Sequence, residues 1–275
     1  MDIKIIDILP SYIKMRNGIV TFDDYRRTYP AFFNHYFAFW GKGESIEPVL
    51  SEEEISLRRT ILLKYLAAAE TACYQFSIDL SNISALVFIG QDTANGHAFL
   101  DSSKAVAWYA LERFSSEKQF EVFVIHELIH AVQYSNTPEA FFYNTDQKNL
   151  VYRQLITEGI ATYLTTQLCS IDEKESLWAD VLPSGQLNHW MSQCQAQEEQ
   201  LFEFVLKHYD SSDPKIGLFH SSDSNDIYEN RTGYYVGLKV IQQIVQEDSL
   251  TPLELLKRPM KSLVERTYQT LQKYK

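Results

Sequence analysis

The stretch Phe123-Val124-Ile125-His126-Glu127-Leu128-Ile129-His130-Ala131-Val132 sets two imidazoles and a carboxylate into an otherwise unbroken apolar run. A run of this kind belongs in a core, where polar side chains are costly unless each has a partner. Read as a helix, the i, i+4 spacing puts His126 and His130 on one face, one turn apart. Their nitrogens can then reach a single Zn²⁺ at about 2.0–2.1 Å. Glu127 falls beside that face, placed to hydrogen-bond a water next to the metal and serve as general base rather than as a ligand. The competing reading makes both histidines core residues bonded to backbone carbonyls. The metal reading accounts for all three polar groups together, and its expectation is one Zn²⁺ per chain.

A catalytic zinc takes three protein ligands and keeps a fourth position open. Downstream, Leu155-Ile156-Thr157-Glu158-Gly159-Ile160-Ala161-Thr162-Tyr163-Leu164 places one carboxylate in an otherwise uncharged helical run. Glu158 is therefore the candidate third ligand, against the plainer reading of an exposed helix glutamate. Gly159 and Ala161 are small enough to let this helix approach the motif helix closely.

Around these residues the pattern is mixed but mainly helical. Thr21-Phe22-Asp23-Asp24 opens an aromatic-rich helix broken or bent at Pro30, and Ser51-Glu52-Glu53-Glu54 is a capping box for a helix running to about Cys73. The apolar runs 85–90 and 105–111 suit strands, with 95–100 a loop or short strand between them. Helical periodicity covers 116–134 and about 150–168. Further helices are expected after a cap at Ser170 to Glu173, over 190–209, over 233–246, and from Thr251-Pro252-Leu253-Glu254. Residues 211–230 form the longest expected loop. Helices, a few strands and then helices make an α+β chain rather than a repeating βαβ sheet.

Composition excludes several functions. The 275 residues are 45% hydrophobic and 22% charged, as in ordinary globular proteins, and the net charge of -11 repels a phosphate backbone, so no nucleic-acid partner is expected. No stretch approaches the roughly 18 apolar residues of a membrane span. Met1-Asp2-Ile3-Lys4 lacks the basic start of an export signal, which leaves a cytoplasmic location as the expectation. Cys73, Cys169 and Cys194 have no paired short spacing and read as core thiols. His189, His208 and His220 lack ligand spacing and read as structural or surface residues.

His126-Glu127-Leu128-Ile129-His130 followed, a helix later, by Glu158-Gly159-Ile160-Ala161 resembles the gluzincin metallopeptidases, the group of thermolysin and the alanyl aminopeptidases. The nearest resemblance is to a bacterial family of predicted zinc proteases catalogued as a domain of unknown function. That family also has a late Gly-Tyr helix, matched here by Arg231-Thr232-Gly233-Tyr234-Tyr235-Val236-Gly237. The resemblance spans about 85–246. It implies one zincin-like catalytic domain over 1–275, with an N-terminal lobe of about 1–140 and a C-terminal helical lobe of about 141–275 around a cleft. It also implies His126, His130 and Glu158 as ligands, Glu127 as base, and a peptide or protein substrate. Thermolysin-like enzymes carry an Asp four residues after the ligand Glu. Here that position is Thr162, so another group, a backbone carbonyl or Asp180, must orient a metal histidine.

The same resemblance places an antiparallel edge strand at Asn95 to Leu100, where extended peptides add by β-pairing. His97 on that segment reads either as an extra catalytic group or as an exposed polar residue of the edge, with the second favoured. For the oxyanion of the tetrahedral intermediate, the candidate donor is Tyr234, against the plainer reading of a core aromatic with a satisfied hydroxyl, with Arg231 as competing donor or anchor for a substrate carboxylate. Hydrolysis of another amide or ester, and a catalytically idle zinc protein that binds a partner, are the alternative functions. Glu127 separates the last from the first, because holding a metal does not require it.

Overall fold

The apolar runs at 85–90 and 105–111 become the inner strands of a four-stranded sheet. The computed structural model describes residues 3–42, 46, 50–102, 104–221, 223 and 225–274. The chain divides into two compact units, Met1–Ser135 and Asn136–Lys275.

In the first unit, β1 (Lys4–Asp7) leads into α1 (Leu9–Arg16), α2 (Phe22–Arg26), α3 (Pro30–Phe39) and α4 (Glu52–Gln75). Strands β2 (Ile83–Phe88), β3 (Gly96–Asp101) and β4 (Lys104–Ala110) follow, then α5 (Glu117–Asn136). The sheet order is β1-β2-β4-β3, with β2 parallel to both β1 and β4, and β3 antiparallel to β4 at the edge. All six residues of β2 are buried, which is why it reads as a continuous apolar run rather than an alternating one.

One feature of this unit differs from the sequence expectation. β1 was not foreseen, because its four residues, KIID, are too short to display a period; pairing from Lys4 opposite Ser84 to Asp7 opposite Val87 makes it a strand. The helix expected to be broken or bent at Pro30 is broken there, into α2 and α3. Proline cannot give an N–H to a helix interior but suits the first turn, and Pro30 opens α3. The capping box at Ser51 is present as expected, with Ser51 and Glu54 bonding each other's backbone N–H. Phe32, Tyr36, Phe88, Phe99 and Trp108 cluster against the sheet, with Phe32 and Phe88 rings 4.6 Å apart.

The second unit is helical: α6 (Thr145–Asn149), α7 (Val151–Cys169), α8 (Glu173–Trp178), α9 (Ser184–Ala196), α10 (Glu198–Lys207), α11 (Thr232–Asp248), α12 (Pro252–Lys257) and α13 (Met260–Gln272). Its centre is the crossing of α7 and α11. A Cβ on Gly159 would lie 2.6 Å from the Gly237 carbonyl oxygen, and one on Gly237 would lie 2.6 Å from that of Leu155. Thus the close neighbour that Gly159 admits within this unit is α11.

Other boundaries also moved. The expected 190–209 helix breaks at Gln197 into α9 and α10. Ser170 does not cap the next helix but ends α7 in a left-handed conformation; Asp172 caps α8, accepting from the Glu175 N–H. The Thr251 capping box forms as expected. Apart from residues 222 and 224, the 211–230 segment holds two short 3₁₀ turns and an isolated bridge between Ser221 and Asn230. The whole is a mainly helical α+β chain with one small mixed sheet, and none of the helices among the described residues is long and apolar enough to cross a membrane.

Candidate metal centre

Helix α5 starts where Ser116 Oγ accepts the Gln119 N–H at 3.2 Å, and Gln119 Oε1 in turn accepts the Ser115 N–H at 2.9 Å. The buried Tyr109 hydroxyl of β4 donates to the Val124 carbonyl at 3.0 Å, and Phe114 stacks on Phe120 at 4.4 Å. These contacts fix the helix one turn before the motif. From Val122 to Tyr134 every residue is buried, including His126 and Glu127 at 6% exposure and His130 at 1%. The two imidazoles have ring centroids 4.9 Å apart, so the i, i+4 expectation of a shared face holds.

His97 departs from its expected place as an exposed edge residue. Antiparallel pairing sets it opposite Trp108, and its side chain is only 12% exposed. Its Nδ1 lies 3.9 Å from Glu127 Oε2, and its Nε2 is 3.2 Å from the Tyr134 hydroxyl. The ring sits 4.9 Å from that of Trp40 and 5.0 Å from that of His130. Donor atoms of His97, Glu127 and His130 all lie within 4.8 Å of one another. The strand before it is equally tight: a Cβ on Gly96 would stand 2.6 Å from Glu127 Cγ and 2.8 Å from the Trp108 carbonyl oxygen, so only glycine lets β3 run this close to the motif carboxylate. The Asn95-Gly96-His97 sequence carried the one available signal, a glycine inside a strand pattern, which marks close backbone approach.

In the second unit, Glu158 on α7 is 9% exposed, which removes the reading of an exposed helix glutamate. Thr162, one turn on, is fully buried. Arg231 precedes α11 with φ 59°, in the left-handed region, and its guanidinium lies 4.7 Å from the Trp178 ring and 4.4 Å from the Tyr234 ring. Tyr234 is half-buried against Phe219, while its neighbour Tyr235 is the core aromatic and bonds Glu198. His189 and His220 are exposed and His208 packs on Phe204, as surface or structural residues do. Cys73 and Cys194 are buried and Cys169 is half-buried.

The donors assembled on and beside α5 are imidazole nitrogens and a carboxylate, the set that suits a borderline-soft ion such as Zn²⁺ better than Mg²⁺ or Ca²⁺. A family model described as "Predicted Zn-dependent protease (DUF2268)" matches residues 90–265. The chain belongs to this family. The matched span of the family covers β3, β4 and α5 with His97, His126, Glu127 and His130, and continues through Glu158 and the Arg231 to Tyr234 segment. No curated protein and no solved structure matches the chain.

Proposed function

We propose that the chain is a zinc-dependent peptidase, a single zincin-like catalytic domain, with His126, His130 and Glu158 as metal ligands and Glu127 as general base. The observation that carries this reading is the pair of buried imidazoles on one face of α5 with a buried carboxylate beside them. When bound, zinc supplies Lewis acidity, polarising the scissile carbonyl and lowering the pKa of water towards about 7.

The chain's own groups do the rest. Glu127 accepts the proton of the attacking water and delivers it to the leaving amine, a role open to a carboxylate held rigidly by its helix and by the contact with Gly96. The antiparallel edge strand β3 offers its free side to an extended peptide. Tyr234 donates to the oxyanion, because a phenol stabilises developing negative charge without a buried full charge; Arg231, stacked on its ring, supports it or binds a substrate carboxylate. Glu127 is also what argues against an idle metal-binding protein.

The test is metal analysis of the purified protein paired with a mixed-peptide cleavage profile. One equivalent of zinc, lost in His126→Ala and in His130→Ala, and chelator-sensitive cleavage are expected. Glu158→Gln should weaken zinc affinity, and Tyr234→Phe should lower kcat and kcat/KM together by about 10²–10³ with zinc content unchanged. A full equivalent of zinc in the double histidine variant would move the site elsewhere, and zinc binding with no cleavage of any peptide would replace peptidase by another hydrolase or by a binding role.

A further inference from the structure

We propose that Arg231, backed by Trp178 and Tyr234, is a preformed seat for a carboxylate, and that the chain therefore acts on peptides that carry one, as a C-terminus or as an acidic side chain. The seat stands on the second unit's geometry; that its ligand is a peptide rests on the peptidase reading.

The first observation is what the guanidinium touches. It lies 4.7 Å from the Trp178 ring and 4.4 Å from the Tyr234 ring. Aromatic faces attract the charge but offer no lone pair to the five N–H donors of the planar fork. Among the described residues the guanidinium makes no hydrogen bond and no ion pair, although Arg231 is half-buried. A rigid fork with its donors unused suits a carboxylate, which accepts from it through two parallel bonds.

The second is an orphaned donor beside it. Trp178 is 2% exposed, and its indole Nε1–H, on the rim of the ring that meets the guanidinium, has no acceptor among the described residues. The buried hydroxyl of Thr232, the first residue of α11, likewise has no partner among them. Buried polar groups are nearly always matched within the chain, so two unmatched ones at a single stack mark a place for an acceptor from outside it. An anion answers both, and it also meets the positive end of the 17-residue helix α11.

The third is rigidity. Trp190 packs edge-on against Trp178 at 5.4 Å and gives its own indole N–H to the Asn230 carbonyl at 2.7 Å, while the Arg231 N–H donates to the His220 carbonyl at 2.8 Å. Arg231 itself sits at φ 59°, where glycine or asparagine would turn the chain into α11 with less strain. An arginine held there is kept for its side chain. A purely structural stack accounts for the rings but not for the unused donors.

The seat is also within reach of the proposed metal ligand on α7. Gly237, six residues after Arg231, meets Gly159, the neighbour of Glu158. At about 1.5 Å per residue the seat lies roughly 9 Å along α11 from that crossing, a length that about three extended residues at about 3.3 Å each would span.

The experiment measures binding of four alanine-rich hexapeptides, labelled at the N-terminus with an uncharged fluorophore, by fluorescence anisotropy. The full-length Glu127→Gln protein is used so that cleavage does not intrude, and cleavage of the same peptides by the unsubstituted protein is followed in parallel. One peptide ends in a carboxylate, one is amidated, and two are amidated with an internal Asp or Asn. At least one carboxylate peptide should bind about 10–100-fold tighter than its uncharged counterpart, and the pair that shows the difference identifies the source. Arg231→Gln should erase the preference, and Arg231→Lys should keep only part of it, because an ammonium lacks the fork. Trp178→Phe, which keeps a ring and removes the N–H, should reduce it about 2–10-fold. Equal binding of charged and uncharged peptides, or no binding of either carboxylate peptide, overturns the proposal, and so does a preference that persists in folded Arg231→Gln. If that variant does not fold, an unchanged preference in both Arg231→Lys and Trp178→Phe overturns it equally. Failure of the peptidase reading is read separately, as no cleavage of any of the four peptides while the preference and its loss in Arg231→Gln remain.

Discussion

In α5 the buried polar side chains include two imidazoles and a carboxylate, His126, Glu127 and His130, beside Gln119 and Gln133; in α7 most are threonines, at 157, 162, 165 and 166. The threonines largely answer to their own helix. Thr157 donates to the Arg153 carbonyl at 3.0 Å, Thr165 to that of Ala161 at 2.8 Å and Thr166 to that of Tyr163 at 2.6 Å, a bond one turn back that any helix offers. Imidazoles and carboxylates are too long and too polar for that solution and must find partners elsewhere in the chain or in a bound ion. Polarity satisfied locally is structural, whereas polarity that needs distant partners marks a site. On this criterion Arg153 and Glu158 stand out within α7.

The largest test of that contrast is Glu127→Gln. It should cut turnover by about 10²–10⁴ while zinc content and melting temperature stay near wild type. Full turnover in the variant would make Glu127 one more core residue and dissolve the contrast.

Next comes the backbone contact at the heart of the second unit. Gly237→Ala gains about 0.5–1 kcal/mol of helix propensity, but its methyl meets a backbone oxygen at 2.6 Å, and overpacking of this kind costs about 1–3 kcal/mol. The overpacking term wins, because a backbone atom cannot swing aside as a side chain can. Chemical denaturation should show net destabilisation, and a more stable variant would show that α7 and α11 have room to part.

Smaller still is Thr165→Val, which keeps the volume and removes a hydroxyl bonded only to its own helix. The Ala161 carbonyl retains its helical bond, so the loss should stay within about 1 kcal/mol in urea unfolding. A loss of several kcal/mol would mean that this hydroxyl has a non-local task, contrary to the reading of α7.

The smallest effect concerns pH. Hydrogen bonds from Arg266, and then Arg258, hold the Asp248 carboxyl at about 2, below the ordinary 3.9 or so of an unfolded chain. A lowered folded-state pKa means stability that is present above about pH 4 and lost as pH falls through about 2. The groups are partly exposed, so the contribution is below about 1 kcal/mol. Arg266→Gln should lower the melting temperature slightly at pH 7, where that contribution is fully present, and flatten the acid limb so that the two proteins converge below about pH 2, and an unchanged profile would show that the pair adds nothing measurable.

What the sequence determined by itself was whatever its local periods and caps encode. The 3.6-residue repeat and the His-Glu-x-x-His spacing placed α5 and its two imidazoles; the β-branched runs placed β2 and β4; Ser51 and Thr251 announced their helices through reciprocal side-chain and backbone bonds. The tertiary structure alone decided the rest. β1 is a strand because β2 lies beside it, Gly159 is a glycine because α11 crosses there, and His97 joins Glu127 because β3 folds back on β4 next to a helix that begins twenty residues later in the chain. Each of these depends on which surfaces meet across long stretches of chain. Such meetings are set by burial of the whole apolar face rather than by any short pattern of residues, so a lone histidine on an edge strand carries no mark in the sequence of the carboxylate it will face.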